Sequence, residues 1–308
     1  MRPELIEAAA LLRRNTPESL EQAIGLLQNT VYSFSMKVCG HPEDAEDTMQ
    51  EVLFRSLKHL TKIQEPQALA VWLYTVTRNR CWRMRGKAGA HGSRRNVPLE
   101  ELMPDETELA QLLQDTGESP EGHLLQAEQH QLVHQAVLRI PAPLRIVLVL
   151  HDMEELTTEQ VAAILGLQPG TVRVRLHRAR LHVRKEIDRA LEGISATTEK
   201  NKPTRRKLKG AGSKQEERPA ACRDLFANLS EYLDGRVAPV ACEEMREHID
   251  ACPACVAFLR DLRRAIDRCR TLQVPCDSVI ASRLRSLLTQ EYQRMLAMLA
   301  EGKMPSTV

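Results

Sequence analysis

The sequence predicts an all-α protein. Long stretches repeat apolar residues at helical spacing, runs of strict apolar/polar alternation are absent, and aromatic residues make up only 3% of the chain, leaving few strand formers. At 308 residues the chain has room for two or three domains. Shifts in composition divide it into a helical domain at residues 1–97, an acidic linker at 98–123, a second helical domain at 124–192, a basic linker at 193–219 and a cysteine-bearing domain at 220–300. The net charge of +2 hides strong segregation. Residues 72–96 hold seven Lys or Arg and no Asp or Glu, while residues 98–131 hold nine Asp or Glu and no Lys or Arg. Patches of this kind point to charged partners more than the net value does.

From Glu4 to about His59 the chain reads as helices, with Pro17 and Pro42 near helix starts and Gly40 at an end. HPEDAEDTMQEVLFRSLKHL places Ala45, Met49, Val52, Leu53 and Leu57 on one face. Asp44, Asp47, Gln50 and Glu51 lie largely outside it, and physics alone makes them a solvated acidic face. A loop around residues 61–67, containing Pro66, precedes ALAVWLYTVTRNRCWRMRGK. There Ala70, Leu73, Val76 and Thr77 form a buried stripe. Arg78, Asn79, Arg80, Arg83 and Arg85 cluster on the remaining surface, with Trp72, Tyr74 and Trp82 interleaved. Cations neutralise phosphates and aromatic faces stack on unpaired bases, so this helix is a candidate nucleic-acid surface; core packing is the alternative for Trp72 and Tyr74. The acidic stretch that follows carries Pro104 and Pro120 and reads as a spacer.

Residues 156–184, LTTEQVAAILGLQPGTVRVRLHRARLHVR, read as two helices joined by a turn. Thr157 with Gln160 is a capping box. Val161, Ala162 and Leu165 follow at helical spacing, and Gly166 ends the first helix. Pro169 opens the second. Val172, Leu176, Ala179 and Val183 make one buried stripe. Arg173, Val174, His177 and Arg178 fall largely off that stripe, and Arg175, Arg180 and Arg184 flank it. Together with Thr171 in the first turn, they are the candidate contacts of a helix-turn-helix whose second helix enters the major groove. An ordinary helical hairpin with a solvated basic face is the plainer reading.

Residues 1–14 are broken by Glu4, Glu7 and Arg13, unlike a signal peptide, and no apolar run approaches the roughly 18 residues of a membrane span. The expectation is a cytoplasmic protein without membrane contact, in which thiols stay reduced and clustered cysteines favour metal or redox chemistry. Six of the eight cysteines lie between Cys222 and Cys276. In HIDACPAC, His248 and Cys252 share a helix face, and Cys255 follows by the C-x2-C spacing that lets two thiolates chelate one ion. A closed tetrahedral site needs a fourth ligand; Cys222 is the first candidate and Cys242 the second. The expected cofactor is one zinc on Cys222, His248, Cys252 and Cys255, with a redox-active or iron-binding thiol cluster as rival. Nothing in the order of nucleophiles, bases or glycines predicts catalysis.

IPAPLRIVLVLHDMEELTTEQVAAILGLQPGTVRVRLHRAR, residues 140–180, resembles region 4 of the extracytoplasmic-function sigma factors of bacterial RNA polymerase, with GTVRVRLHRAR the strongest part. DAEDTMQEV resembles sigma region 2.2, and WLYTVTRNR resembles regions 2.3 and 2.4. CRDLFANLSEYLDGRVAPVACEEMREHIDACPAC resembles the zinc-containing anti-sigma domain, which normally belongs to a separate inhibitor. The resemblance implies a non-enzymatic transcription initiation factor that binds core RNA polymerase and directs it to promoter DNA. It places Asp44, Asp47, Gln50 and Glu51 on the β′ clamp helices of the polymerase. Trp72, Tyr74, Arg78, Asn79, Arg80, Trp82 and Arg83 go to the −10 side, and Thr171, Arg173, Val174, Arg175, His177, Arg178, Arg180 and Arg184 to the −35 side. It also implies that the C-terminal domain regulates the chain in cis, through contact with the sigma domains. One departure is that Leu69, Ala70 and Val71 fill places where the family usually has an aromatic. The rival readings are a helix-turn-helix regulator acting without polymerase, a zinc-scaffolded interaction module and a zinc hydrolase.

Overall fold

The computed structural model describes residues 1–14, 16–60, 63, 65–87, 98–104, 108, 111–112, 126–198, 232–235, 246–247, 249 and 252–300, and among them every regular element is helical. The chain begins with α1 (Pro3–Arg14), α2 (Pro17–Cys39), α3 (Pro42–Leu60) and α4 (Pro66–Lys87). Thr16 caps α2 in a reciprocal box with Ser19, and Gly40 ends it at φ 83°, a conformation that costs glycine nothing. Pro66, placed in a loop by the sequence, is instead the first residue of α4, where its missing N–H has no helical partner to lose. A short helix, α5 (Leu99–Leu102), forms inside the stretch read as an acidic spacer. It is followed by α6 (Gln126–Arg139), α7 (Ala142–Leu148), a π-helical turn (Val149–Met153), α8 (Thr158–Leu165), α9 (Pro169–Thr198), α10 (Pro253–Thr271) and α11 (Ser278–Ala300). Helix α9 continues past residue 193, where the sequence reading begins the second linker.

The chain forms two compact units. The first comprises residues 1–94, 149–172 and 273–308. Its centre is α2, which packs against α1, α3, α4 and α11. Ile24, Leu27, Val31 and Phe34 of α2 are buried with Leu5 and Ala8 of α1, Met49 and Leu53 of α3, and Leu69 and Leu73 of α4. Phe34 and Tyr74 pack in a tilted pair, with ring centroids 5.0 Å apart and ring planes at 53°. Gln28 Nε2 donates to the Ala281 carbonyl of α11 at 2.9 Å, and the Arg285 guanidinium lies against Gly25, where a methyl group would meet it at 3.4 Å. The helix-turn-helix enters the same unit through α8, which packs on α4.

Between the π turn and α8 sits a buried charge cluster of this unit. Glu154 is 1% exposed and Lys37, from α2, is 0% exposed. Lys37 Nζ donates to Glu154 Oε1 at 2.9 Å, Tyr74 Oη to Oε2 at 2.7 Å, and Arg2 Nε lies 3.0 Å from Oε2. Burial alone would raise the Glu154 pKa, but Lys37 and Arg2 and the two hydrogen bonds hold it below the ordinary carboxylate value. Tyr74 is pushed well above the usual phenol range by burial and by the Glu154 charge.

The second unit comprises residues 95–148 and 173–272. Its core joins Leu181 of α9 and Leu102 of α5 to Ile249 and to Cys255, Phe258, Leu259, Leu262 and Ile266 of α10, with Met103, Leu112, Tyr232 and Leu233 packed around them.

Candidate nucleic-acid interface and metal centre

The helix-turn-helix is built as its sequence dictates. Gln160 N donates to Thr157 Oγ1 at 3.2 Å, and Thr157 N to Gln160 Oε1 at 2.9 Å. Gly166 sits at φ 65°, and its N–H bonds back to the Ala162 carbonyl. Pro169 then opens α9. At about 100° per residue, α9 shows three flanks. Val172, Leu176, Ala179 and Val183 are buried, the stripe expected from their spacing. Thr171, Arg173 and Val174 are exposed, and Arg175 and Arg178 are half-buried. These residues form an open basic surface over the first turns.

The remaining flank is covered. His177, Arg180 and Arg184 are all buried, Arg180 fully. Both terminal nitrogens of Arg180 donate to Asp234, at 2.7 and 3.2 Å, in the bidentate geometry that suits a guanidinium and a carboxylate. Arg184 Nε donates to Asp261 of α10 at 2.5 Å, with Asp188 at 3.3 Å and Glu108 at 3.7 Å. The ring centroid of Phe258 lies 4.9 Å from its guanidinium. His177 is held neutral: burial, then Arg180 and Arg178, lower its pKa to about 4. Three carboxylates, Asp261, Asp188 and Glu108, converge on Arg184. Burial and the neighbouring Asp261 charge raise Asp188 to about 7, against the pull of Arg184.

On the other unit, Asp47 and Gln50 of α3 are exposed, whereas Asp44 and Glu51 are half-buried. Glu51 is tied to Arg55 at 3.0 Å and to Arg80 of α4 at 2.6 Å. On α4, Arg78 and Asn79 are half-buried neighbours and Trp72 is half-buried. Trp82 is 46% exposed, with the Arg78 guanidinium 5.7 Å from its ring centroid. Tyr74 points inward to Glu154. The Arg83 side chain lies outside the described residues.

Of the four candidate zinc ligands, Cys252 and Cys255 fall among the described residues, whereas Cys222 and His248, like the alternative Cys242, lie outside them. Cys252 is the N-cap of α10, and its side chain makes no capping bond to the helix. Cys255 N donates to the Cys252 carbonyl at 3.0 Å, which sets the two residues in one tight turn. Both are thiols rather than disulfides, and Cys255 is buried with Cys252 packed against the same core. Two soft donors in one turn, shielded from water on one side, fit half of a structural zinc site. Among the described residues no three His, Cys, Asp or Glu converge as a complete metal site.

Sequence reasoning missed Lys37, Glu154, Asp188, Asp234 and Asp261. Lys37 had a signal, for it lies on the apolar face of α2 between Phe34 and Val38, where a charge requires a buried partner.

Helical sigma regions are the class these elements define. Residues 24–90 match the family model of sigma-70 region 2, residues 130–183 match sigma-70 region 4, and residues 222–255, which span all four candidate ligands, match a zinc-finger model. The chain is 30% identical over 172 residues to the RNA polymerase sigma-E factor of Streptomyces avermitilis, covering 54% of this chain and 84% of that one. It is 25% identical over 177 residues to the ECF sigma factor SigW of Bacillus subtilis, covering 57% and 92%. It is 31% identical over 188 residues to the probable sigma factor RfaY of Xanthomonas campestris, covering 58% of this chain but only 44% of that relative. The chain belongs to the extracytoplasmic-function sigma factors, transcription initiation factors rather than enzymes, and carries a zinc-finger region after its two sigma regions. Among the described residues no helix is long and apolar enough to cross a membrane.

Proposed function

We propose that this chain binds core RNA polymerase in the cytoplasm through the α3 face around Asp44, Asp47, Gln50 and Glu51, which meets the β′ clamp helices. It engages the −10 element through α4 and the −35 element through the open flank of α9. The zinc-bearing C-terminal region holds the factor inactive in cis. One zinc on Cys222, His248, Cys252 and Cys255 folds that region, since metal binding to such a site is folding free energy. The observation that supports the inhibitory reading is the pairing of Arg180 and Arg184 with Asp234 and Asp261, carboxylates that would compete with DNA phosphates for these two cations. On the other unit α11 packs on α2 and α3, beside the proposed polymerase face.

A second argument has the same sign. Packed helices lie about 8–10 Å apart, and α8 packs on α4. The −10 and −35 elements are about 80 Å apart along B-DNA at roughly 3.4 Å per base pair. A form with α8 against α4 cannot serve both elements, which supports reading the packing around Glu154 as an off state that must open.

Incubating the protein with core polymerase and a pool of upstream regions from its own genome tests the reading. Once the C-terminal region is released by chelator or peroxide, polymerase-dependent run-off transcripts from a defined subset of promoters are expected. DNA binding that never recruits polymerase would instead favour the stand-alone regulator.

A further inference from the structure

Val174 is 59% exposed in the second turn of the helix that ends the helix-turn-helix. A lone exposed valine is ordinary on a protein surface, but its surroundings here are specific. Thr171, Val174 and Arg178 stand at i, i+3 and i+7, so they share one flank of α9. Arg173 and Arg175 bracket Val174 in sequence. The apolar needs of α9 are met elsewhere, since Val172 and Leu176 are buried. Gly170, four residues before Val174 on the same helix, has no atom of the described residues within 4 Å of where a Cβ would stand. A single exposed, branched apolar side chain at a cationic helix start is suited to a polyanion with an apolar feature among its polar edges.

Resting on the promoter reading above, we propose that Val174 reads the 5-methyl group of one thymine in the −35 element. In the major groove that methyl is the one apolar group a base pair presents, and cytosine offers an amino donor in its neighbourhood instead. Val174 has no hydrogen-bonding atom, so it cannot read a guanine, adenine or cytosine edge. It sits among the N-terminal residues of the helix, the part that meets base edges in this motif. Arg178 and Thr171 on the same flank supply the polar contacts that fix the register.

Uracil isolates this contact, because it keeps every hydrogen-bonding edge of thymine and lacks only the methyl. Full-length protein released by chelator or peroxide, core polymerase and a promoter from the genomic pool are used, with each −35 thymine replaced by uracil in turn and run-off transcription measured at limiting protein. The wild type should lose about fourfold at one position, the factor that burying one methyl group gives at about 0.8 kcal/mol. Val174→Ala should lose a similar factor on the thymine promoter and nothing further on uracil replacement there. Because the side chain is exposed, the variant should fold; matched circular dichroism and melting curves check this. Transcription with no uracil-sensitive position, or sensitivity that persists in Val174→Ala, overturns the proposal and leaves the promoter reading standing. Absence of any promoter-dependent transcription overturns both.

Discussion

Replacing Glu154 with glutamine should turn the factor on. The substitution preserves shape and can still accept the Tyr74 hydrogen bond, but it removes the charge 2.9 Å from Lys37. With Lys37 0% exposed and Glu154 1% exposed, water cannot screen the change. Removing one partner of a buried ion pair typically costs about 3–5 kcal/mol, most of it from the stranded charge. That cost falls on the packed form alone, because both side chains regain water when the π-turn segment leaves α2 and α4. At about 3 kcal/mol the equilibrium between closed and open forms shifts roughly a hundredfold toward open. Full-length Glu154→Gln should therefore give far more run-off transcript than wild type at equal, limiting concentration. Adding Lys37→Met removes the second charge and should return activity toward the wild-type level, since neutralising both members of a buried pair is often close to neutral. This rescue separates release of the closed form from general loosening, in which two core substitutions would act in the same direction. Unchanged transcription by a folded Glu154→Gln protein would refute the reasoning. The pH dependence has a definite sign. A carboxylate whose pKa is depressed contributes stability above its unfolded value and loses it as pH falls through the folded one. The closed form should hold across neutral pH and weaken only below the ordinary carboxylate range.

Four further outcomes are expected. Asp188, raised to about 7, should make the α9–α10 packing strongest below about pH 4 and progressively weaker as pH rises through 7, as for any acid whose folded pKa is raised. Its side chain is 34% exposed, so solvent moderates the effect; hydrogen exchange of α10 should show the trend in wild type and lose it in Asp188→Asn. Asp234→Asn should weaken the hold on Arg180 and raise promoter affinity, whereas unchanged affinity would mean that this pair does not compete with DNA. Arg178→Ala should lower affinity for the best promoter by about 1–3 kcal/mol more than for scrambled DNA, the signature of a base-edge contact; equal losses would assign Arg178 to phosphate. Reduced, purified protein should contain close to one zinc, and Cys252→Ser should lose it while Cys269→Ser keeps it.

Much of the helix-turn-helix was legible because its determinants are local. The Thr157–Gln160 box, Gly166 at positive φ and Pro169 at the start of α9 each act within a turn of chain, and the Val172, Leu176, Ala179 and Val183 stripe follows from periodicity alone. What periodicity cannot supply is which distant segment covers a given face. Arg180 and Arg184 sit beside the apolar stripe and read as solvent-facing cations. Their partners Asp234 and Asp261 lie 54 and 77 residues further along the chain, beyond any local pattern. Tyr74 posed the same problem: an aromatic in a basic helix suits base stacking as well as core packing, and a carboxylate 80 residues away decides its orientation. Lys37 was the readable exception, since a lysine on the apolar face of α2 demands a buried anion even before that anion is known.

The most direct test of inhibition in cis compares the full-length chain with a version ending after Thr198, the last residue of α9, in run-off transcription with core polymerase. Cutting there leaves α9 whole and removes Asp234, α10 and α11 together. Because the C-terminal region is joined covalently to the sigma regions, it acts at a fixed, high effective concentration in the intact chain. Dilution therefore cannot relieve its effect, and only removal of the region or a change in its metal or thiol state can. The account predicts that the shortened protein is constitutively active and that the full-length chain is weaker until chelator or peroxide is added. A shortened protein that is inactive while the full-length chain transcribes would contradict it and make the zinc-bearing region a positive element of the factor.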